Sequence, residues 1–314
     1  MSRPVLVAVR AAGLGDLLTA VPALRALADA FPGHRRVLAG PAPLAPLVAL
    51  AGVADEVADT RWVDGVGALA PGLGGAGIGV NLHGRGPAST AALAALRPGR
   101  LVAYGLPGGP AWRDGEHEVA RWCRLLAESG IPADPGRLDL PRPPVDPPPG
   151  AAGATLVHPG AASPARRWPA DRFAAVARAE AGAGRPVVVT GSAAEAPLAA
   201  EVARRAGLAP SAVLAGRTDL MGLAAAVAAA DRVVCGDTGV AHLATALGRP
   251  SVVLFGPTPP SAWGPPPDRP RHRVLWAGRV GDPHAAEPDP GLLEIGIDDV
   301  LAALDRLERV GEPA

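Results

Sequence analysis

The 314 residues carry 30 basic and 30 acidic side chains, for a formal net charge of zero and a pI of about 7.1. That balance excludes a polyanion held by bulk charge, so no nucleic-acid partner is expected. With 48% hydrophobic and 19% charged residues, the composition is globular, and the length allows two cores.

In chain order, residues 4–9 form a continuous apolar run of the kind found in a parallel strand buried on both faces. A Gly-rich turn, Gly13-Leu14-Gly15-Asp16, leads into a helix over 16–30. Pro22 is expected near its first turn or at a kink, and Phe31-Pro32-Gly33 ends it. Strands follow at 36–39, 56–58, 77–82 and 100–104, with helices at 43–50, 88–96 and 116–129 and one more helical turn at 65–69. The run Pro141-Arg142-Pro143-Pro144-Val145-Asp146-Pro147-Pro148-Pro149-Gly150 can be neither helix nor inner strand, because its prolines lack N–H groups and restrict their neighbours. It reads as a semi-rigid linker between two domains.

Beyond the linker, strands at 155–157, 186–190, 213–214, 233–235, 251–255 and 272–276 alternate with helices at 170–183, 194–206, 220–229, 238–247 and 297–310. The alternation predicts an α/β fold: two Rossmann-like, doubly wound parallel-sheet domains facing across a cleft. The domains are expected at 1–145 and 151–296, with the terminal helix and tail, 297–314, packing back on the first. Cys123 and Cys235 are too few and too far apart for a disulfide framework or a metal knuckle. No apolar run approaches the ~20 residues a bilayer span needs, and the N-terminus has no signal-peptide pattern. A cytoplasmic protein is expected, with peripheral membrane contact left open.

The chemistry-bearing residues cluster at strand-to-helix junctions. Asp237-Thr238-Gly239-Val240 opens a helix that carries His242, and the first N–H groups of such a helix, with its dipole, suit a diphosphate. The plainer reading is an N-cap by Asp237 or Thr238. Gly13-Leu14-Gly15-Asp16 lacks the third glycine of a dinucleotide fingerprint, where Leu18 stands. Asp16 reads either as a cap or as a base, since an ordinary Asp is ionised at neutral pH. His158-Pro159-Gly160 followed by Arg166-Arg167-Trp168-Pro169 sets two guanidinium groups before a helix, suited to phosphate oxygens, or else a solvated loop anchored by Trp168. Thr190-Gly191-Ser192 with Glu195 places a carboxylate where it can take a ribose diol or simply start a helix. Arg10, Asn81, His83, Arg85 and His117 are candidates for an acceptor side.

In this order the motifs resemble glycosyltransferase family 9, the ADP-heptose:lipopolysaccharide heptosyltransferase group. The match rests on Leu14-Gly15-Asp16 with Pro22, on His158-Pro159-Gly160 with Arg166-Arg167-Trp168-Pro169, and on Asp237-Thr238-Gly239 with His242 and Phe255-Gly256-Pro257-Thr258. The resemblance implies a GT-B fold and inverting, metal-independent transfer of a heptose-like sugar from an ADP-type nucleotide sugar. The donor is a co-substrate and no cofactor is implied; the acceptor is a hydroxyl of a glycan, glycolipid or small metabolite. Asp16 would be the general base. Arg166 stands where the family usually has Lys on the donor phosphates. Thr238, Gly239 and Val240 would bind the diphosphate, Asp237 the sugar and Glu195 the ribose. Gly15, Gly160, Arg167, Thr190 and Leu220 would complete the donor pocket. Asn81 replaces an Asp common at that strand end. A non-catalytic nucleotide-sugar-binding protein, or an epimerase or hydrolase of the same fold, remains an alternative.

Overall fold

The computed structural model describes residues 3–60, 73 and 75–311, and the helical turn expected at 65–69 lies outside them. The chain divides into two compact units, Met1–Leu140 and Pro141–Ala314. The division falls at the first proline of the linker, where φ is fixed and no N–H is available to continue a ladder.

In the first unit the elements are β1 (Val5–Val9), α1 (Leu14–Ala30), β2 (Arg35–Gly40), α2 (Ala45–Ala51), β3 (Glu56–Asp59), β4 (Ile78–Asn81), α3 (Ala88–Ala95), β5 (Arg100–Val102) and α4 (Glu118–Glu128). The second has β6 (Thr155–His158), α5 (Ala170–Gly182), β7 (Val187–Val189), α6 (Ala196–Ala206), α7 (Leu220–Ala229), β8 (Arg232–Gly236), α8 (Gly239–Ala246), β9 (Ser251–Phe255), α9 (Pro260–Trp263), β10 (His272–Trp276), α10 (Pro290–Glu294) and α11 (Ile297–Gly311). Both sheets have five strands and every pairing is parallel, in the orders β3-β2-β1-β4-β5 and β10-β9-β8-β6-β7.

These orders decide where function can sit. In the first sheet the chain leaves β1 to one side and returns on the other as β4; in the second it does so between β6 and β8. At such a reversal the connections after the two neighbouring strands diverge to opposite faces and open a crevice at their carboxyl ends. The first crevice collects Arg10, Asp16, Asn81 and His83, and the second collects His158, Arg166 and Asp237. Register sets Val9 beside Asn81 and His158 beside Cys235.

Strands β6, β8 and β9 are buried along their whole length, as expected of parallel strands covered on both faces. Val157, Val234, Val252 and Leu254 meet Trp168, Phe173, Val176 and Val202 in the second core, while Val7, Val9, Val37 and Leu93 anchor a smaller one in the first unit.

Four local expectations change. The segment 213–214 makes only a bridge, Val189 to Val213, and no strand. The helix expected from residue 116 starts at Glu118, because the His117 Nδ1 accepts from the Val119 N–H and caps it. Pro22 sits well inside α1, and the helix runs through it. The last difference concerns α11, expected to return to the first domain. Its Val300, Ala303 and Leu304 are fully buried in the second core, among residues of α5 and β9, because its apolar face repeats at helical spacing and finds that uncovered sheet face first.

Leu304→Ala should therefore lower the unfolding free energy of the second unit by about 2–5 kcal/mol, read as a loss of denaturant midpoint at unchanged m-value. An unchanged midpoint would remove α11 from that core.

Candidate functional site

In the first unit the carboxyl end of β1 continues into Arg10, whose guanidinium is only 2% exposed. Its Nε donates to the Asp16 carbonyl at 2.9 Å and its Nη1 to the Leu82 carbonyl at 2.7 Å. Its Nη2 meets Glu118 Oε1 at 2.9 Å and Asp16 Oδ1 at 3.0 Å. The sequence made Arg10 a candidate acceptor ligand; the structure spends its nitrogens on the protein itself. Asp16 stands in the first turn of α1, where its Oδ2 accepts from the Gly13 N–H at 3.1 Å. One oxygen thus caps the helix start while the other faces Arg10, and about a third of the side chain stays exposed. Capping and an accessible carboxylate coexist here. Gly15 lies in the same first turn.

Asn81 is fully buried. Its Nδ2 lies 2.9 Å from Ser89 Oγ, 3.0 Å from Thr90 Oγ1 and 3.3 Å from the Gly84 carbonyl, and its Oδ1 accepts from the His83 N–H at 3.0 Å. An acidic side chain could not donate to the Gly84 carbonyl, so Asn81 acts by folding the loop that carries His83 and Arg85. His83 is half-buried, and burial, then the charge of Arg10, lower its pKa against the opposing pull of Asp16. Arg85 is exposed at the mouth of an open cavity of about 480 Å³, shared with Thr90, Leu101, Tyr104 and Leu106. His117 is accounted for by its cap on α4.

In the second unit three loops leave the carboxyl ends of the adjacent strands β8, β6 and β7. The loop after β6 turns through Gly160. A Cβ there would overlap the Glu195 carboxylate, so glycine is required for the two loops to close. Glu195 forms a reciprocal capping box with Ser192, its Oε2 accepting from the Ser192 N–H at 2.8 Å. Burial opposes its charge, but the Ser192 hydrogen bonds and the nearby His158 and Arg167 prevail and lower its pKa. His158 is buried behind it with Nδ1 3.0 Å from Thr190 Oγ1, and burial pushes its pKa down to about 4.

Arg166 leans the other way, toward β8. Its Nη1 is 3.4 Å from the Asp237 carbonyl and 3.7 Å from the Asp237 carboxylate, and its buried Nε has no hydrogen-bond partner among the described residues. Arg167 instead donates from Nε to the Ala161 carbonyl at 2.9 Å, which bends it toward Glu195. The loop is braced from beyond: the Ala165 N–H donates to the Ala285 carbonyl, and the Ala165 carbonyl accepts from the Asp289 N–H. Gly236 makes room for it, since a Cβ there would come within 3.0 Å of the Arg166 carbonyl. Trp168 is the packing anchor expected, its Nε1 donating to the Ile295 carbonyl at 3.0 Å.

Helix α8 begins at Gly239 with Thr238 as its extended N-cap residue, whose side chain makes no capping hydrogen bond. The plain-cap reading is therefore not met at Thr238. The N–H groups of Gly239 and Val240 belong to the first turn, which has no intrahelical acceptor. His242, one turn along, packs edge-on against Trp263 of α9 with ring centroids 5.9 Å apart. Leu220 is the first residue of α7, half-buried, and the cap there is Asp219, which accepts from the Gly222 N–H at 2.7 Å.

Reading by sequence missed Glu118, Arg121, Trp122 and Trp263. Glu118 looked like any acid in a first helical turn, and its spacing of 108 residues from Arg10 left no local signal.

The model of glycosyltransferase family 9 (heptosyltransferase) matches residues 110–288, more than half of the chain. The chain belongs to that family. Lipopolysaccharide heptosyltransferase 1 of Pseudomonas aeruginosa is 37% identical over 159 residues, which are 49% of this chain and 43% of that protein, so the similarity spans less than half of the relative's length. Among solved structures, a family 9 glycosyl transferase from Veillonella parvula superposes with a TM-score of 0.77 at 20% identity over 99% of both chains. The ADP-heptose lipopolysaccharide heptosyltransferase II of Escherichia coli gives 0.71 at 20% identity over 98% of this chain and all of that one. At such identity these likenesses show the fold, which is GT-B. Among the described residues no helix is long and apolar enough to cross a membrane.

Two outcomes follow from this geometry. Gly160→Ala should push the Glu195 carboxylate away and part the two loops, lowering the denaturant midpoint of the second unit while leaving helix content intact by circular dichroism; an unchanged midpoint would show that the loops close without the glycine. His158, and likewise His272, which burial and Arg269 and Arg271 hold at about 4, titrate near 6.5 once unfolded. The unfolded chain then takes up protons that the folded chain does not. Stability should be level above pH 6.5 and fall as pH drops toward 4, by up to about 1.4 kcal/mol per pH unit for each histidine. In His158→Gln the decline measured by denaturant titration should be visibly shallower.

Proposed function

We propose that the protein is an inverting glycosyltransferase using a nucleotide sugar, with the donor held by the second unit and the acceptor hydroxyl deprotonated by Asp16 of the first. The observation that carries the reading is the pairing of the α8 N-terminus, which the Thr238 side chain leaves without a cap, with the under-bonded Arg166 at one strand reversal. A diphosphate there would take the N–H groups of Gly239 and Val240, the helix dipole and a planar guanidinium. Thr238 would contribute its backbone, Asp237 would face the transferred sugar, and Glu195 would accept from the ribose hydroxyls over Gly160. The names of the similar proteins point to ADP-heptose as donor and lipopolysaccharide as acceptor class; we propose a heptose-like, ADP-linked donor and a glycan, glycolipid or small-molecule acceptor.

In the proposed step the acceptor proton passes to the Asp16 carboxylate, and the acceptor oxygen bonds to the anomeric carbon from the face opposite the leaving group. The bond from that carbon to the diphosphate oxygen breaks, its electron pair leaving with the nucleoside diphosphate. Arg166 and the α8 dipole would balance the charge that develops on it, in the place a metal ion would otherwise take.

Asp16→Asn should lower kcat by about 10²–10⁴ with donor affinity kept. Arg166→Ala should weaken donor affinity about 10- to 100-fold, the worth of a charge-assisted hydrogen bond. Transfer from ADP-linked sugars, with binding followed by calorimetry, reads both. Full transfer in Asp16→Asn would take the base role from Asp16.

A further inference from the structure

We propose that Glu118 is a positioning residue that sets the charge and the orientation of Asp16 through the buried Arg10. The inference rests on the reading of Asp16 as the base.

Four charged side chains of alternating sign run inward from the Asp16 carboxylate. Asp16, 32% exposed at its side chain, meets Arg10, which meets Glu118, which meets Arg121; the last three side chains are 1%, 11% and 7% exposed. Only the Asp16 end of the series is substantially open to solvent. The decisive detail is that Asp16 Oδ1 and Glu118 Oε1 share a single nitrogen, Arg10 Nη2, at 3.0 and 2.9 Å. Two carboxylates on one donor compete for the same positive charge. Glu118 therefore withholds from Asp16 part of the charge of Arg10.

Glu118 is held in that competing position. Its Oε1 also accepts from Trp122 Nε1 at 2.9 Å, and its Oε2 accepts from Arg121 Nε at 3.2 Å. The Trp122 ring lies 4.9 Å from the guanidinium carbon of Arg10, and Arg121 stacks 3.9 Å above the Trp112 ring. Thr19 completes the frame, donating to the Asp16 carbonyl at 3.0 Å with its Oγ1 3.4 Å from Arg10 Nη2. The groups that face Asp16 are thus Arg10 after β1, His83 after β4, and Glu118, with Arg121 behind it, from α4. Replacing a buried ion cluster with apolar residues often costs nothing in stability, whereas sharing one guanidinium between a buried and an exposed carboxylate tunes the exposed one.

The test is the acid limb of kcat in the full chain, compared in Glu118→Gln and Arg121→Gln with donor affinity followed in parallel. Removing the negative charge at 118 exposes Asp16 to the whole of Arg10, so the limb moves to lower pH by on the order of one unit and kcat at neutral pH falls several-fold. Removing the positive charge at 121 strengthens the hold of Glu118 on Arg10, so the limb moves to higher pH. Donor affinity, which belongs to the second unit, stays put in both. A structural role alone would shift both charge variants alike or shift neither, and either result overturns the proposal. Where Glu118→Gln fails to fold, the upward shift in Arg121→Gln carries the test. If Asp16→Asn itself retains full transfer, the base assignment fails instead, so the two failures are told apart.

Discussion

Everything else in this molecule depends on the fact that both sheets are parallel and covered on both faces. Strands buried along their length cannot present polar side chains from their middles without leaving them unsatisfied. Chemistry is confined to the carboxyl edge, and within that edge to the two reversals in strand order, β1 beside β4 and β6 beside β8. The polar groups of the site gather at these edges, where the strands end and their loops can pair and solvate them.

Bringing loops together at such an edge demands space, and glycine supplies it at two points. Gly160 leaves room for the Glu195 carboxylate, and Gly236 lets the backbone at Arg166 lie against the end of β8. Neither glycine has a positive φ, so the requirement is close approach and not backbone conformation. Around that approach the residues divide the work. Arg167 and Trp168 hold the loop from within, through the Ala161 and Ile295 carbonyls, and residues 285–289 hold it from outside. Arg166 keeps a buried donor, its Nε, without a hydrogen-bond partner among the described residues.

The strands, most helices and the linker were legible because apolar periodicity and proline placement are local signals. So was the placing of the second-unit motifs, since Arg166, Glu195 and Asp237 each sit within a short segment that follows a strand end. What could not be read is what long-range pairing decides. Arg10 looks like a cleft residue in a six-residue window, yet its partners lie at positions 16, 19, 82 and 118. Asn81 stands where the resemblance expects an Asp, and the donor that the Gly84 carbonyl requires explains an amide there. The terminal helix carried an unmistakable apolar face but no indication of which sheet would receive it. Trp263 is invisible without α9, a four-residue helix that no periodicity announces.

The two units also differ in how they treat charge, and the difference is informative. In the second, the cation near the ligand edge is left under-bonded: Arg166 has one long contact to a carbonyl and one to a carboxylate 3.7 Å away. A planar guanidinium so loosely held can still turn its fork onto a diphosphate, which suits a group meant to bind and release. In the first, every guanidinium nitrogen of Arg10 has a partner within the unit, and the carboxylate it contacts is held with it. A base has to be fixed at hydrogen-bond reach of the proton it takes, and a buried arginine anchored at both ends of its guanidinium is a stiffer support than any surface side chain. On the proposed reading, the first unit invests its buried charge in orientation and the second reserves its charge for a ligand, as one edge acting on a hydroxyl and the other on a phosphate would require.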